Sequence, residues 1–470
     1  MAGRSVIFLL TCAVLTAAPE RTLRPSDLHV DDATVAAEQK AALAWNMNIL
    51  VGAYDGIGSR NPKWDDAARK GLTLTARLWA HDPTRPGDAD DQAWYWLHTA
   101  VKLGCDDPLV QYLDVQYSRA DIDALEGAHQ TYYTMIKLIP TRYHAFLKSV
   151  ALVESADSLS LASAGKHLSK EEWEPRWNSI LVIINRAHEL SPALFADREI
   201  PAGQLIDHMN DFFDPWGRGG NDRMKYFSWV EEEWVKVRSP KDPLLQLMRA
   251  DLLTASAWDV RGTGWAKDVK EDAWPIFYDR LRQAEAEAAK AVAQGWSNFA
   301  IVRVMNSVAL GLDYSDAEKD QWFELGKRLS PGDIRPYYSR AYALSPRWHG
   351  PGDDVHGFTR QLKATGGWTD ELPFLLINAY EDKWCGCAGA SEQYLSRPEV
   401  TADVLAVFQP FLAKYPDSGW ARGQYVRWLA RAGRWTEVKS QLKLIAPDRF
   451  RVGAFGGQAK YDEIRKRAEQ

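Results

Sequence analysis

Residues 401–447 read TADVLAVFQPFLAKYPDSGWARGQYVRWLARAGRWTEVKSQLKLIAP, and the punctuation of this stretch decides the fold. Apolar side chains fall at Val404, Val407, Phe408 and Phe411, then at Tyr425, Trp428 and Leu429, then at Val438, Leu442 and Ile445. Steps of three and four place each set along one helix face. Breaks separate the sets: Tyr415-Pro416 stops the first run, Gly433 turns the chain after the second, and Ala446-Pro447 ends the third. Thr401 stands where a helix N-cap is expected. Such short helices hold only when a neighbour covers the apolar face, so consecutive segments are predicted to lie side by side as paired rods.

The interval from Pro416 to Pro447 is close to the ~34-residue period of tetratricopeptide hairpins, with Gly433-Arg434-Trp435 at the turn. No strict array runs through the chain. The same punctuation recurs at Leu190-Ser191-Pro192, Leu329-Ser330-Pro331 and Leu344-Ser345-Pro346, each closing an apolar run and opening the next segment. Further helices are predicted at Thr34 to Tyr54, Trp64 to Trp79, Trp94 to Leu103, Ile122 to Ile139, Tyr143 to Val153 and Trp173 to Leu190. Phe277, Leu281, Ala284, Ala288 and Ala291 share one face, while Arg280, Arg282, Glu285, Glu287 and Lys290 make a charged one. The expected fold class is all-α, a stack of helical hairpins forming a tetratricopeptide-like α-solenoid or superhelix. The turn-rich stretch Asp214-Pro215-Trp216-Gly217-Arg218-Gly219-Gly220 is the expected break between an N-terminal helical region, 19–215, and a central one, 221–365, with a flexible surface loop inside one domain as the alternative reading. A C-terminal tetratricopeptide-like region covers 366–470.

At 470 residues, with 46% hydrophobic and 26% charged, the composition is that of an ordinary globular protein with room for more than one unit. The net charge of -6 supplies no basic field, which argues against nucleic acid as a partner. The 21 Trp, 18 Tyr and 15 Phe support a large core and also offer flat platforms for sugars or peptides. Met1 to Ala18 carries Arg4 and then an apolar run from Val6 to Ala18, the form of a secretory signal, although Pro19 is unfavourable just after the cleavage position. The run is too short for a membrane span, which takes ~20 residues, so no span is expected after signal removal. Cys12 lies in an unsuitable context for lipid attachment. Cys105, Cys385 and Cys387 are too few for a disulfide scaffold, leaving an odd thiol in the expected periplasmic or extracellular location.

One part of the chain resembles a known family. The stretch Ala257-Trp258-Asp259-Val260-Arg261-Gly262-Thr263-Gly264-Trp265-Ala266, with Val269 and Trp274, and then Leu344-Ser345-Pro346-Arg347-Trp348-His349-Gly350, is similar to a bacterial family of tetratricopeptide-like proteins known as a domain of unknown function. The resemblance covers about residues 240 to 365 and returns weakly at Gly104-Cys105-Asp106-Asp107-Pro108-Leu109-Val110. It implies a helical repeat fold and supplies neither reaction nor active site.

Candidate chemistry is sparse. Arg261-Gly262-Thr263-Gly264-Trp265 lacks the third glycine, the preceding strand and the acidic residue of a dinucleotide loop, and reads as a break between helices. Arg261 is expected to cap carbonyls there or to pair with Asp259 or Asp268. The loop His349-Gly350-Pro351-Gly352-Asp353-Asp354-Val355-His356 holds divalent-metal ligand types but matches no zinc spacing, and reads instead as a turn with Asp353 or Asp354 near a helix N-terminus. Cys385 and Cys387 permit a redox pair and read as incidental thiols. Glu231-Glu232-Glu233 between Trp229 and Trp234 invites a sugar-cleaving hypothesis, but no second carboxylate can be nominated. No nucleophilic-serine motif, phosphate loop or HExxH is present, so no catalytic residue, metal or cofactor is assigned.

The resulting expectation is an exported binding or scaffolding protein whose partner is a protein or peptide, alternatively a polysaccharide. Trp258, Arg261, Trp265, Arg347, Trp348 and His349 form the candidate ligand-facing cluster, with inter-helix packing as its rival role. From another class comes an α/α-toroid enzyme acting on polysaccharide, which requires a closed helical ring around two facing carboxylates. A third reading is an envelope assembly factor tethered by an uncleaved N-terminus.

Overall fold

The hairpin read from residues 401–447 forms with shifted caps. A computed structural model describes residues 21–164, 170–219, 222–348, 352–381 and 391–470. The first helix of the hairpin region starts at Pro398, so Thr401 lies inside it, with its hydroxyl on the Arg397 and Pro398 carbonyls. Pro is favoured in the first helical turn because no partner for its missing N–H exists there. Ser418 caps the next helix, and Gly433 adopts a left-handed φ of 70° to turn the chain.

The chain is all-α, and no strand occurs among the described residues. The helices are α1 (Asp32–Met47), α2 (Ala53–Ile57), α3 (Asp65–Trp79), α4 (Ala89–Lys102), α5 (Pro108–Ser118), α6 (Ala124–Leu138), α7 (Ala145–Ala164) and α8 (Lys170–His188). Then come α9 (Ser191–Ala196), α10 (Ala202–Arg218), α11 (Arg223–Val235), α12 (Pro243–Arg261), α13 (Ala273–Ala293), α14 (Phe299–Gly311), α15 (Asp316–Leu329) and α16 (Arg335–Ala343). The C-terminal set is α17 (Gly352–Gln361), α18 (Leu375–Tyr380), α19 (Glu392–Leu395), α20 (Pro398–Lys414), α21 (Gly419–Arg431), α22 (Trp435–Leu442) and α23 (Gln458–Glu469). All three Leu-Ser-Pro triplets sit where one helix ends and the next element opens. No described helix is long and apolar enough to cross a membrane.

Successive hairpins stack into a solenoid-like body. Helices α7, α10, α12, α14 and α16 touch in succession as one row, and α11, α13 and α15 pack behind it. The small face of α13 is buried as its spacing predicts, with Phe277, Leu281, Ala284, Ala288 and Ala291 all inside. Helix α10 differs from expectation by running through Pro215 to Arg218. Proline costs an interior helix ~3 kcal/mol, but here Phe212 and Phe213 are buried one turn earlier and Trp216 stacks on Tyr226 at 3.9 Å. One buried cluster runs from Leu23 to Leu329, with residues from both sides of the 214–220 stretch. A second core extends from Leu376 to Ala468, just inside the region beginning at 366.

The solenoid curls until distant segments meet. Helix α1 touches both α3 and α15. The loop after α3 lies on the loop before α16, where Arg85 Nη1 donates to the Gly332 carbonyl at 2.7 Å. From the C-terminal core, Arg451 reaches the loop after α5: its Nε donates to Asp121 at 2.9 Å, Nη2 donates to the Tyr117 carbonyl, and the guanidinium lies over Trp94 and Trp420.

Candidate functional site

The sequence-nominated cluster assembles in part. Arg261 is the last residue of α12, where a basic side chain complements the carbonyl end of the helix. It folds back so that Nη1 donates to the Gly262 and Gly264 carbonyls at 3.1 and 3.0 Å. Its guanidinium carbon lies 4.8 Å from the Trp348 ring centre, 5.6 Å from Trp258 and 5.8 Å from Trp274. Trp258 meets Trp348 edge to face at 5.3 Å, and Arg347 Nη2 donates to the Thr263 and Gly264 carbonyls. The expected pairing with Asp259 does not form, because Arg223 takes that carboxylate at 2.6 Å. Trp265 stays 41% exposed outside the cluster. His349 lies outside the described residues.

A pocket of about 360 Å³ opens beside this cluster, lined by Trp258, Arg261, Arg347 and the polar side chains of Thr263, Asn306, Ser307, Ser339 and Tyr342. Burial, then the neighbouring Arg347, lowers the pKa of Arg261 from its ordinary value. An arginine remains charged under such shifts.

A second site was invisible in the sequence. A solvent-open cavity of about 520 Å³ lies among the end of α3, α5, α7, α10 and the start of α16. Its wall carries the aromatic rings of Trp79, Tyr112, Tyr117 and Phe146. Asp90 from the first turn of α4 and Asp211 from α10 face it, and neither makes a hydrogen bond or ion pair with a described residue. Both side chains are exposed to solvent, although protein atoms crowd around them. Burial, reinforced by Asp214, Glu154 and Asp207 and opposed by Arg303, raises Asp211 to about 7. Burial also raises Asp90, against Arg451 and Arg85. Tyr112 Oη and Gln116 Oε1 are buried in the same wall without a partner. No spacing rule could find this set, because its members come from separate helices that only the curl brings together.

A chain of alternating charges forms part of the cavity wall, with His81, Asp207 and Arg335 lining it. Asp251 accepts from Arg303 at 2.8 Å, Arg303 reaches Asp207, Asp207 accepts from Arg335 at 2.7 Å, and Arg335 Nε donates to Asp333 at 2.8 Å. Arg335 Nη2 also donates to His81 Nε2 at 3.0 Å. Burial, opposed by Asp333, lowers the His81 pKa, consistent with a neutral accepting imidazole. Burial resists ionisation of Asp207, but Arg303 and Arg335 more than offset it and lower its pKa. Every carboxylate in this chain is paired, so the network braces five segments and leaves Asp90 and Asp211 as the chemically available groups. A second space of about 710 Å³ lies behind it, sharing Trp79, His81, Gln204, Asp207 and Arg335 with the first.

The other nominated residues are mostly occupied. Glu231 pairs with Arg249 and Glu233 with Lys236, while Trp234 is sealed in the core. The His356 ring lies tilted against Tyr380 with ring centres 4.6 Å apart, and among the described residues no group of three or more His, Cys, Asp and Glu could hold a metal ion. Burial pushes the Cys105 thiol up to about 12, leaving it unreactive. Cys12, Cys385 and Cys387 lie outside the described residues, as do residues 1–18. No family model and no curated protein sequence matches the chain.

Proposed function

We propose that this is an exported helical-repeat binding protein that receives a peptide segment bearing a basic side chain in its central cavity. The observation that supports this is the pair of partnerless carboxylates, Asp90 and Asp211, opening on one aromatic-walled space. Carboxylates beside Trp and Tyr faces recognise an ammonium or guanidinium group through charge and through the ring quadrupole. Kinship with the tetratricopeptide-like family belongs to this reading and rests on the motifs at 257–266 and 344–350.

Calorimetric titration of the full chain with tri-lysine and with its fully acetylated form tests it. Binding of tri-lysine alone, weakened by Asp90→Asn and Asp211→Asn and by added salt, is the expected result. Equal binding of the acetylated peptide, or none of either, overturns it.

A second reading, an enzyme acting on polysaccharide, is favoured by Asp211 itself. A carboxyl group with a pKa of about 7 still holds a proton near neutrality, as a general acid must, and Asp90 would be its partner. Reducing sugar released from bacterial polysaccharide by the parent chain but not by Asp211→Asn would replace the binding reading.

A further inference from the structure

The pocket at the end of α12 is independent of the central cavity and has the opposite electrostatic character. Arg261 is 5% exposed, and no described carboxylate pairs with it. Buried charges in proteins are ordinarily paired, because an isolated ion in a poorly hydrated site loses much of its solvation. Only Nη1 of its guanidinium is used, on the two loop carbonyls. Nε is buried without an acceptor, Nη2 makes no hydrogen bond with a described residue, and the indole Nε1 of adjacent Trp348 is likewise buried without an acceptor. Nη2, which is not sealed off, is the nitrogen left for a ligand, and its N–H groups can donate to a carboxylate.

The wall agrees. It contains hydroxyl and amide groups and a second arginine, and among the described residues no aspartate or glutamate lines it. Trp258, Leu310 and Tyr342 supply apolar surface for the body of a ligand. The Gly262 and Gly264 carbonyls on Nη1 partly balance Arg261, which disfavours a dianion. We propose that this pocket binds a small monocarboxylate with an apolar body, the carboxylate being the missing counter-charge of Arg261.

Benzoate, its neutral isostere benzamide, and inorganic phosphate are titrated into the full chain, with calorimetry and the melting temperature as readouts. Benzoate is expected to bind and to raise the melting temperature, with benzamide and phosphate inert up to ~10 mM, where affinity is negligible. Arg261→Lys keeps the charge but loses the planar Nη2 donor, and benzoate affinity should fall about tenfold, a loss of ~1.4 kcal/mol. Ser307→Leu fills the pocket without touching Arg261 and should abolish binding while the chain stays folded. That variant keeps the test valid if Arg261 substitutions prevent folding. Benzoate binding unchanged in Ser307→Leu, benzamide binding as well as benzoate, a response to phosphate alone, or no response to any probe each overturns the proposal.

Discussion

At the residue scale, the proposed binding rests on side chains that lack what their neighbours have. Asp207, Asp251 and Asp333 each find an arginine, whereas Asp211, on the same helix as Asp207, finds none. The consequence is a pH dependence whose sign follows from the raised pKa. Folded Asp211 holds its proton to about 7, whereas in the unfolded chain it ionises near ~3.9. The folded state therefore binds the extra proton between these values, and its stability falls as pH rises from about 4 to about 7. Asp211→Asn removes that slope. The melting temperature of the variant relative to the parent should climb across this window and level off above it, as scanning calorimetry at a series of pH values would show; a flat difference would mean Asp211 ionises freely. None of this was legible beforehand, because a lone aspartate in a helical run looks the same whether it meets an arginine or a cavity.

At the scale of elements, local sequence was a good guide except where packing outweighed it. Gly433 is a case of agreement: its φ of 70° lies in the left-handed region, and a methyl group placed there would touch nothing within 4 Å. The penalty of Gly433→Ala is therefore purely conformational, about 1 kcal/mol, and urea unfolding should show that loss with no change in the denaturant slope. Helix α10 is the case of disagreement, since the propensity of Pro215 and Gly217 says stop while the Trp216–Tyr226 stack holds the last turn in place. Thr401 misled for a related reason: Pro398 begins the helix one turn earlier, and the threonine hydroxyl simply bonds back into that turn.

At the scale of the molecule, the meeting of distant segments is what turns a row of hairpins into the walls of an open cavity. Two contacts test it. Arg451 is 4% exposed and joins the C-terminal core to Asp121 and the Tyr117 carbonyl. Removing it takes the cation from half-buried Asp121, which keeps the Gly453 N–H, and from buried Asp91 at 3.7 Å, and breaking a buried pair typically costs ~3–5 kcal/mol. Arg451→Ala should split urea unfolding into two transitions, the smaller C-terminal core melting first. Gly332 permits the backbone of one end to lie on the other, since a Cβ there would sit 1.8 Å from the His81 carbonyl oxygen. Gly332→Ala should push the loops apart, so amide exchange in residues 78–85 should accelerate while exchange in α21 stays unchanged.

The chain's own letters determined the helical class, most helix positions and the hairpin turns, because apolar spacing, proline and glycine act within a few residues. They also brought forward Trp258, Arg261, Arg347 and Trp348, which lie together beside a pocket. Only the tertiary structure decided that Trp265 stays outside that group, that Arg223 rather than Arg261 takes Asp259, and that Asp90 and Asp211 share a cavity. The reason is physical. Periodicity records which face of a helix is apolar, but the curvature of the stack is the sum of many small packing angles, and that sum alone sets which distant polar groups come face to face.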